Sequence, residues 1–104
     1  GFLADVSGVQ TDILRRAIQA TTPGGRVVYS TCTYAPEENE AVLDAVLESE
    51  DCRIVEQELP LDARPGVTEW QGASFDPSVE RAARVYPHLN DTGGFFVATL
   101  EVGR

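Results

Sequence analysis

The segment GGRVVYSTCTYAPEENE, residues Gly24 to Glu40, contains the clearest change of pattern in the sequence. Arg26–Ser30 is a short run of β-branched and aromatic residues, typical of a strand buried in a parallel sheet. Pro36 suits the first position of a helix, and the acidic residues after it suit the positive end of a helix dipole. The segment therefore predicts a strand, a turn that contains Cys32, and a helix.

Helical patterns lie on both sides of that strand. Ser7–Gln10 has the form of a capping box, which predicts a helix from about Ser7 to about Ala20. Its apolar face is predicted from the spacing of Val9, Ile13, Ala17 and Ile18. Thr22–Gly25 ends this helix. The second helix has an apolar stripe formed by Val42, Leu43, Val46 and Leu47.

Two more strands are predicted towards the end of the chain. Arg53–Leu59 alternates as an outer strand does, and Phe95–Val102 is the strongest strand pattern in the sequence. More than thirty residues separate them, and a connection of this length indicates a functional loop or unrecognised structure. Within it, residues 76–84 predict a short helix through Arg84, and Trp70 and Phe75 are expected to anchor the loop.

The order of these elements indicates an α/β protein with an incomplete sheet, because three strands give little cover for helices on two faces. The 104 residues are expected to form a single partial domain, 1–104, the closing half of a larger sheet. The chain opens at Gly1 without methionine, so it is expected to be a piece of a longer protein. No apolar stretch is long enough to span a membrane, and no signal-peptide pattern opens the chain.

The formal net charge is −9, and all eight basic residues are arginine. Acidic surfaces usually argue against nucleic-acid binding, because phosphate contacts supply much of the affinity. At molar salt, however, the Debye length is only about 3 Å, so repulsion between protein and RNA is screened. A lysine-free acidic composition is expected in salt-loving archaea. We therefore interpret the charge as an indication of habitat.

Cys32 follows the end of the predicted first strand, where open α/β sheets bind ligands. It also precedes a helix N-terminus, an environment that favours thiolates in general. Position alone leaves a second interpretation equally open, in which Cys32 is a small residue filling the end of a strand. Cys52 is expected to be structural; a disulfide between the two cysteines is possible, but free thiols are the better expectation.

Metal binding is not predicted, because the cysteines lack the spacing of a zinc site and His88 is the only histidine. A hydrolase that pairs Cys32 with His88 is conceivable and requires the two side chains to meet.

Several segments together resemble the Sun/Fmu-type RNA (cytosine-5)-methyltransferases. The similarity lies in Gly24–Thr33 followed by Pro36–Glu40, in the preceding helix with Gln10, and in Arg84–His88 with Gly93–Ala98. These motifs span most of the chain. The resemblance implies a Rossmann-like S-adenosylmethionine-dependent methyltransferase fold, of which this chain is the C-terminal half. It also implies a small mixed sheet whose last strand is antiparallel and central, between Arg26–Ser30 and Arg53–Leu59.

The resemblance further implies transfer of a methyl group from S-adenosylmethionine to carbon 5 of a cytosine in rRNA or tRNA. Cys32 matches the cysteine that attacks the base in this family. Substrate contacts are expected from Thr31, Thr33, Asn39, Arg84 and His88. For Asn39 a role at the start of the helix is the first interpretation, and for Arg84 and His88 packing or capping is an equal alternative. Tyr34 could stack on a base, although an aromatic residue beside a turn more often packs.

Three features of the family have no counterpart here: the cofactor loop, the acidic residue that binds the ribose, and the second cysteine. No cofactor-binding residue is therefore assigned, and the isolated chain is expected to be inactive. The expected partner is RNA, and binding to a membrane or to a metal ion is not expected. The protein is expected to be a cytoplasmic monomer. The alternative is a function of a different class, a non-catalytic RNA-associated or protein-interaction module. Such a module would not need Cys32.

Overall fold

A computed structural model of the chain describes residues 2–33, 35–57, 63–86 and 94–103, with the backbone alone for residues 2–7. The helices are α1 (Phe2–Gln19) and α2 (Glu40–Ser49), and 3-10 helices span Pro36–Glu38 and Pro77–Arg81. The strands are β1 (Arg26–Thr31), β2 (Cys52–Val55), β3 (Arg64–Pro65), β4 (Glu69–Trp70), β5 (Ala73–Ser74), β6 (Ala83–Val85) and β7 (Phe95–Val102).

The last strand, β7, is the centre of the main sheet. It pairs antiparallel with β1 on one side, from Arg26 opposite Glu101 to Thr31 opposite Phe96. On its other side it pairs antiparallel first with β6 and then with β2, and β3 extends the sheet beyond β6. The predicted α/β fold with a central, antiparallel last strand is confirmed.

Helices α1 and α2 cover one face of this sheet. The even-numbered residues of β7 point towards them, and Phe96, Ala98 and Leu100 are fully buried. The helices contribute the buried side chains Leu14, Ile18, Val42, Leu43 and Val46. The apolar stripe predicted for the second helix is thus confirmed, with Leu47 partly buried at its margin.

The predicted end of the first helix is confirmed, since α1 ends at Gln19. Its predicted start is wrong, because α1 begins at Phe2, so Ser7 lies inside the helix and does not cap it. Of the predicted apolar face, Ile18 is buried, as is Leu14, whereas Val9 and Ile13 are 59% and 63% exposed. Leu14 and Ile18 belong to the same buried cluster as the apolar side chains of α2.

The long connection contains structure that the sequence did not indicate, namely the hairpin β4–β5 and the strands β3 and β6. The helix predicted through Arg84 is wrong, because a 3-10 helix ends at Arg81 and Arg84 lies in β6. Phe75 packs against the core as predicted. Trp70 does not anchor the loop, since it is 40% exposed.

The outer edge of β1 has no strand partner among the described residues. Its side chains alternate between exposed and partly buried, and Val28 is 64% exposed. No helix in the described ranges is long and apolar enough to cross a membrane.

Candidate functional site

Cys32 is the first residue after β1, as its position in the sequence predicts. It is exposed, a property that the sequence had left open. Cys32 and Cys52 are both free thiols in the structure. Cys52 opens β2 and is partly buried. Burial, followed by the charges of Glu50 and Asp51, raises the pKa of the Cys52 thiol. The two cysteines therefore occupy very different environments.

The chain on both sides of Cys32 is held by Asn39. Thr31 Oγ1 donates a hydrogen bond to Asn39 Oδ1 at 2.6 Å, and Asn39 Nδ2 donates to the carbonyl of Thr33 at 2.9 Å. The amide of Ala35 donates to Thr33 Oγ1 at 3.2 Å. Asn39 is completely buried. The structure thus brings together three of the predicted site residues, with the exposed thiol between two of them.

A second contact ties β1 to the segment before α2. The hydroxyl of Tyr29 donates to the carbonyl of Glu38 at 2.6 Å. Partial burial, and then the nearby Glu38 charge, raises the pKa of Tyr29 to about 12. Tyr29 therefore stays protonated and able to donate this bond across the physiological range.

Glu40, the residue after Asn39, is also completely buried and binds Arg84. Arg84 Nε and Nη2 each donate to one carboxylate oxygen of Glu40 at 2.6 Å. The amide of Val67 adds a third hydrogen bond to this carboxylate, at 2.8 Å. Burial by itself would lower the pKa of Arg84, but the hydrogen bonds and charge of Glu40, with a smaller contribution from Tyr86, leave that pKa raised.

Arg84 is only 4% exposed and lies 5.7 Å from the centre of the Phe96 ring. Phe96 stands opposite both Arg84 on β6 and Thr31 on β1, so the three form a row across the sheet. The structure does not support the expected contact between Arg84 and RNA, because the guanidinium of Arg84 points to Glu40 inside the protein. The packing alternative is the one that these contacts favour.

His88 lies outside the described residues, as do Tyr34 and Gly93. The pairing of Cys32 with His88 and the stacking role of Tyr34 therefore remain predictions. Among the residues that the structure describes, no group of three or more histidine, cysteine or acidic side chains could hold a metal ion.

Sequence reasoning assigned no role at the site to Tyr29 or to Glu40. A signal for Glu40 was available, because it precedes Leu43 and Leu47 at helical spacing and so shares their apolar stripe. An acidic residue on such a stripe needs a buried partner. Nothing near Tyr29 in the sequence indicates its bond to Glu38.

The chain resembles known proteins along nearly its whole length. It is 37% identical over 98 residues to the tRNA (cytosine(49)-C(5))-methyltransferase of Pyrococcus abyssi, covering 94% of this chain and 32% of the relative. It is 38% identical over 97 residues to the ribosomal RNA small subunit methyltransferase F of Erwinia tasmaniensis, covering 92% of this chain and 19% of the relative. The chain thus spans about a third or less of these relatives.

Solved structures give the same result. A methyltransferase homologue from Pyrococcus horikoshii superposes with a TM-score of 0.87 at 31% identity, covering 96% of this chain and 32% of that one. NSun6 from Pyrococcus horikoshii with SFG gives a TM-score of 0.75 at 30% identity, covering 94% and 22%. The family model described as 16S rRNA methyltransferase RsmB/F matches residues 3–101. The chain therefore belongs to the RsmB/F family of 16S rRNA methyltransferases.

Proposed function

We propose that this chain is the C-terminal portion of an RNA (cytosine-5)-methyltransferase and that Cys32 is its nucleophile. The observation that carries the proposal is an exposed thiol at the end of β1, between two residues that a buried side chain holds in place. Membership of the family and the names of its relatives, which act on tRNA or rRNA, support the same activity.

The chemistry explains why a thiol is needed. Carbon 5 of cytosine is a weak nucleophile until the Cys32 thiolate forms a bond to carbon 6. The electron pair of the carbon 5–carbon 6 double bond then becomes available at carbon 5. Once carbon 5 carries the new methyl group, its proton passes to a base. The carbon 6–sulfur bond then breaks, the double bond is restored and the thiolate is released.

S-adenosylmethionine supplies the methyl group in such a reaction. Among the described residues around Cys32, Thr31 and Asn39 bind each other and Asn39 binds the carbonyl of Thr33, so these polar groups are already engaged within the chain. We therefore propose that the cofactor binds to another part of the protein and that the isolated chain is inactive. Isothermal titration should detect no micromolar binding of S-adenosylmethionine by residues 1–104, and such binding would overturn this proposal.

The same proposal accounts for the apolar side chains left exposed. Val9 and Ile13 on α1, Val28 on β1 and the unpaired edge of β1 are suited to contact the remainder of a larger catalytic domain. The whole protein is proposed to act as a cytoplasmic monomer on RNA, at salt concentrations high enough to screen the charge of −9 that these 104 residues carry. His88 stays a proposed substrate contact.

Covalent trapping tests the nucleophile directly. The full-length protein is incubated with S-adenosylmethionine and RNA containing 5-fluorocytosine, from which the carbon 5 substituent cannot leave as a proton. A denaturation-resistant complex is expected, and it should be absent with Cys32→Ala and retained with Cys52→Ala. A complex that survives in Cys32→Ala would remove the proposed role. RNA binding without any complex in the wild type would favour the non-catalytic module.

A further inference from the structure

We propose that Asn39 is a positioning residue that sets the place of the Cys32 thiol, acting through Thr31 and Thr33. The inference rests on the proposed role of Cys32 as a nucleophile. It reassigns Asn39 and the two threonines from contacting substrate to holding the loop that carries the thiol.

The first observation is where the amide of Asn39 is directed. Asn39 stands at the N-cap position of α2, where asparagine side chains commonly accept a hydrogen bond from the first turn of the helix. Here the side chain makes no such bond. Both its oxygen and its nitrogen bind the residues on either side of Cys32. Helix capping, the first interpretation of this residue, is therefore not what its side chain does.

The second observation is that the two sides of Cys32 differ in how they are held. Thr31 belongs to β1 and is fixed by pairing with Phe96 of β7. Thr33 lies beyond the end of β1, so the sheet does not hold it. Its carbonyl instead accepts a hydrogen bond from Asn39 at 2.9 Å and a longer one from Thr31 Oγ1 at 3.4 Å, and its hydroxyl accepts one from the amide of Ala35. Asn39 thus joins the free side of the loop to the fixed side.

The third observation is that Asn39 is itself immobilised. Its amide donates to the carbonyl of Pro36, and its carbonyl accepts from the amide of Leu43. The next residue, Glu40, is bound by Arg84 of β6 and by the amide of Val67. A completely buried side chain held in this way can define the position of a thiol, whereas an exposed one could not.

The expected consequence is on turnover more than on substrate binding. Loss of the amide removes the shortest hydrogen bond to Thr33 and leaves only those from Ala35 and Thr31, so Cys32 is held less firmly. A misplacement of about 1 Å can cost about 100-fold in rate. Asn39→Ala should therefore lower kcat by about 10- to 100-fold, while KM for RNA changes by less than about threefold. Rates are expressed per folded protein, so that reduced folding does not count as reduced turnover.

A second pair of variants keeps the test valid if Asn39→Ala folds poorly. Thr31→Val removes the hydroxyl that donates to Asn39, and Thr31→Ser restores it on a smaller side chain. Thr31→Val should lower kcat and Thr31→Ser should return it close to the wild-type value. Thr99→Val is the matched control, because it removes a partly buried hydroxyl that donates to Gln57, elsewhere in the sheet. It should leave kcat unchanged.

The experiment uses the full-length protein with its RNA, and covalent trapping by Cys32→Ala is measured alongside. If Cys32→Ala still traps RNA, the proposed nucleophile is wrong and the present inference fails with it. If trapping requires Cys32 but Thr31→Val and Thr31→Ser have the same kcat, the nucleophile stands and the positioning role of Asn39 is refuted. A rise in KM alone would also refute it, because that result would indicate contact with substrate.

Discussion

The buried ion pair between Glu40 and Arg84 offers a quantitative test of the structure. The perturbation is Arg84→Met, which keeps an unbranched side chain of similar length and removes the charge. In the wild type the Glu40 carboxylate accepts two hydrogen bonds from Arg84 and one from the amide of Val67. In the variant, the completely buried carboxylate of Glu40 keeps one of these three hydrogen bonds, the one from the Val67 amide.

The size of the effect follows from that loss. Removing one partner of a buried ion pair costs about 3–5 kcal/mol, because the other charge is left uncompensated. The placement of Arg84 over the Phe96 ring puts the expected loss in the upper part of this range. Small domains have a free energy of unfolding of about 5–15 kcal/mol, so the variant loses a large part of its stability.

The assay is urea denaturation of the 104-residue chain, followed by circular dichroism. With a denaturant slope of about 1.5 kcal/mol/M, a loss of 3–5 kcal/mol lowers the midpoint by about 2–3 M. The matched control is Arg53→Met, because Arg53 is 58% exposed and binds Glu101 at the surface. Its midpoint should hardly move, since surface ion pairs contribute little.

A double variant distinguishes the effect of an uncompensated buried charge from the effect of changed side-chain volume. Glu40→Leu combined with Arg84→Met removes both charges and leaves the Val67 amide without its acceptor, which costs about 1–3 kcal/mol. The double variant should therefore be more stable than Arg84→Met alone. The reasoning is refuted if Arg84→Met behaves like Arg53→Met, or if the losses of the two single variants simply add.

Four further predictions concern single positions. A Cβ on Gly66 would collide with the carbonyl oxygen of Val79, so Gly66→Ala should lower the free energy of unfolding by about 1–3 kcal/mol. Gly8→Ala, where a Cβ meets nothing, should raise it by up to about 1 kcal/mol; equal effects in urea would contradict this. Iodoacetamide should alkylate Cys52 with a midpoint above pH 9.0, because burial and then its acidic neighbours raise its pKa; a midpoint at or below that value would contradict the burial. The contribution of Tyr29 to stability should be complete below pH 10.0 and be lost as the pH rises towards about 12, because its folded pKa is raised. A titration of tyrosine ionisation followed by ultraviolet absorbance should show a component with a high midpoint pH, and this component should disappear in Tyr29→Phe. If it persists, the raised pKa belongs to another tyrosine.

The main elements could be predicted because their signals are local. The runs that became β1 and β7 are β-rich over five or more residues, and α2 repeats its apolar residues at helical spacing. The place of Cys32 after β1 followed directly from where its strand ends. The central position of β7 came from the resemblance to a family, since a pattern within one strand does not name its neighbours.

The short strands β3 to β6 could not be predicted in this way. Each has two or three residues, too few for an alternating pattern, and each exists because another segment supplies its hydrogen bonds. The exposure of Val9 and Ile13 was missed for a related reason. An amphipathic pattern shows that a helix has an apolar face, but packing against α2 selects which residues are covered.

The sequence by itself determined the two helices, the long strands, the acidic charge and the place of a cysteine between a strand and a helix. Only the tertiary structure decided what holds that cysteine. Asn39 reaches back six and eight residues to the loop, and Glu40 meets Val67 and Arg84 at separations of 27 and 44 residues. A buried polar group that lacks a partner is costly, and these partners, which lie far apart in the sequence, meet only when the chain has folded.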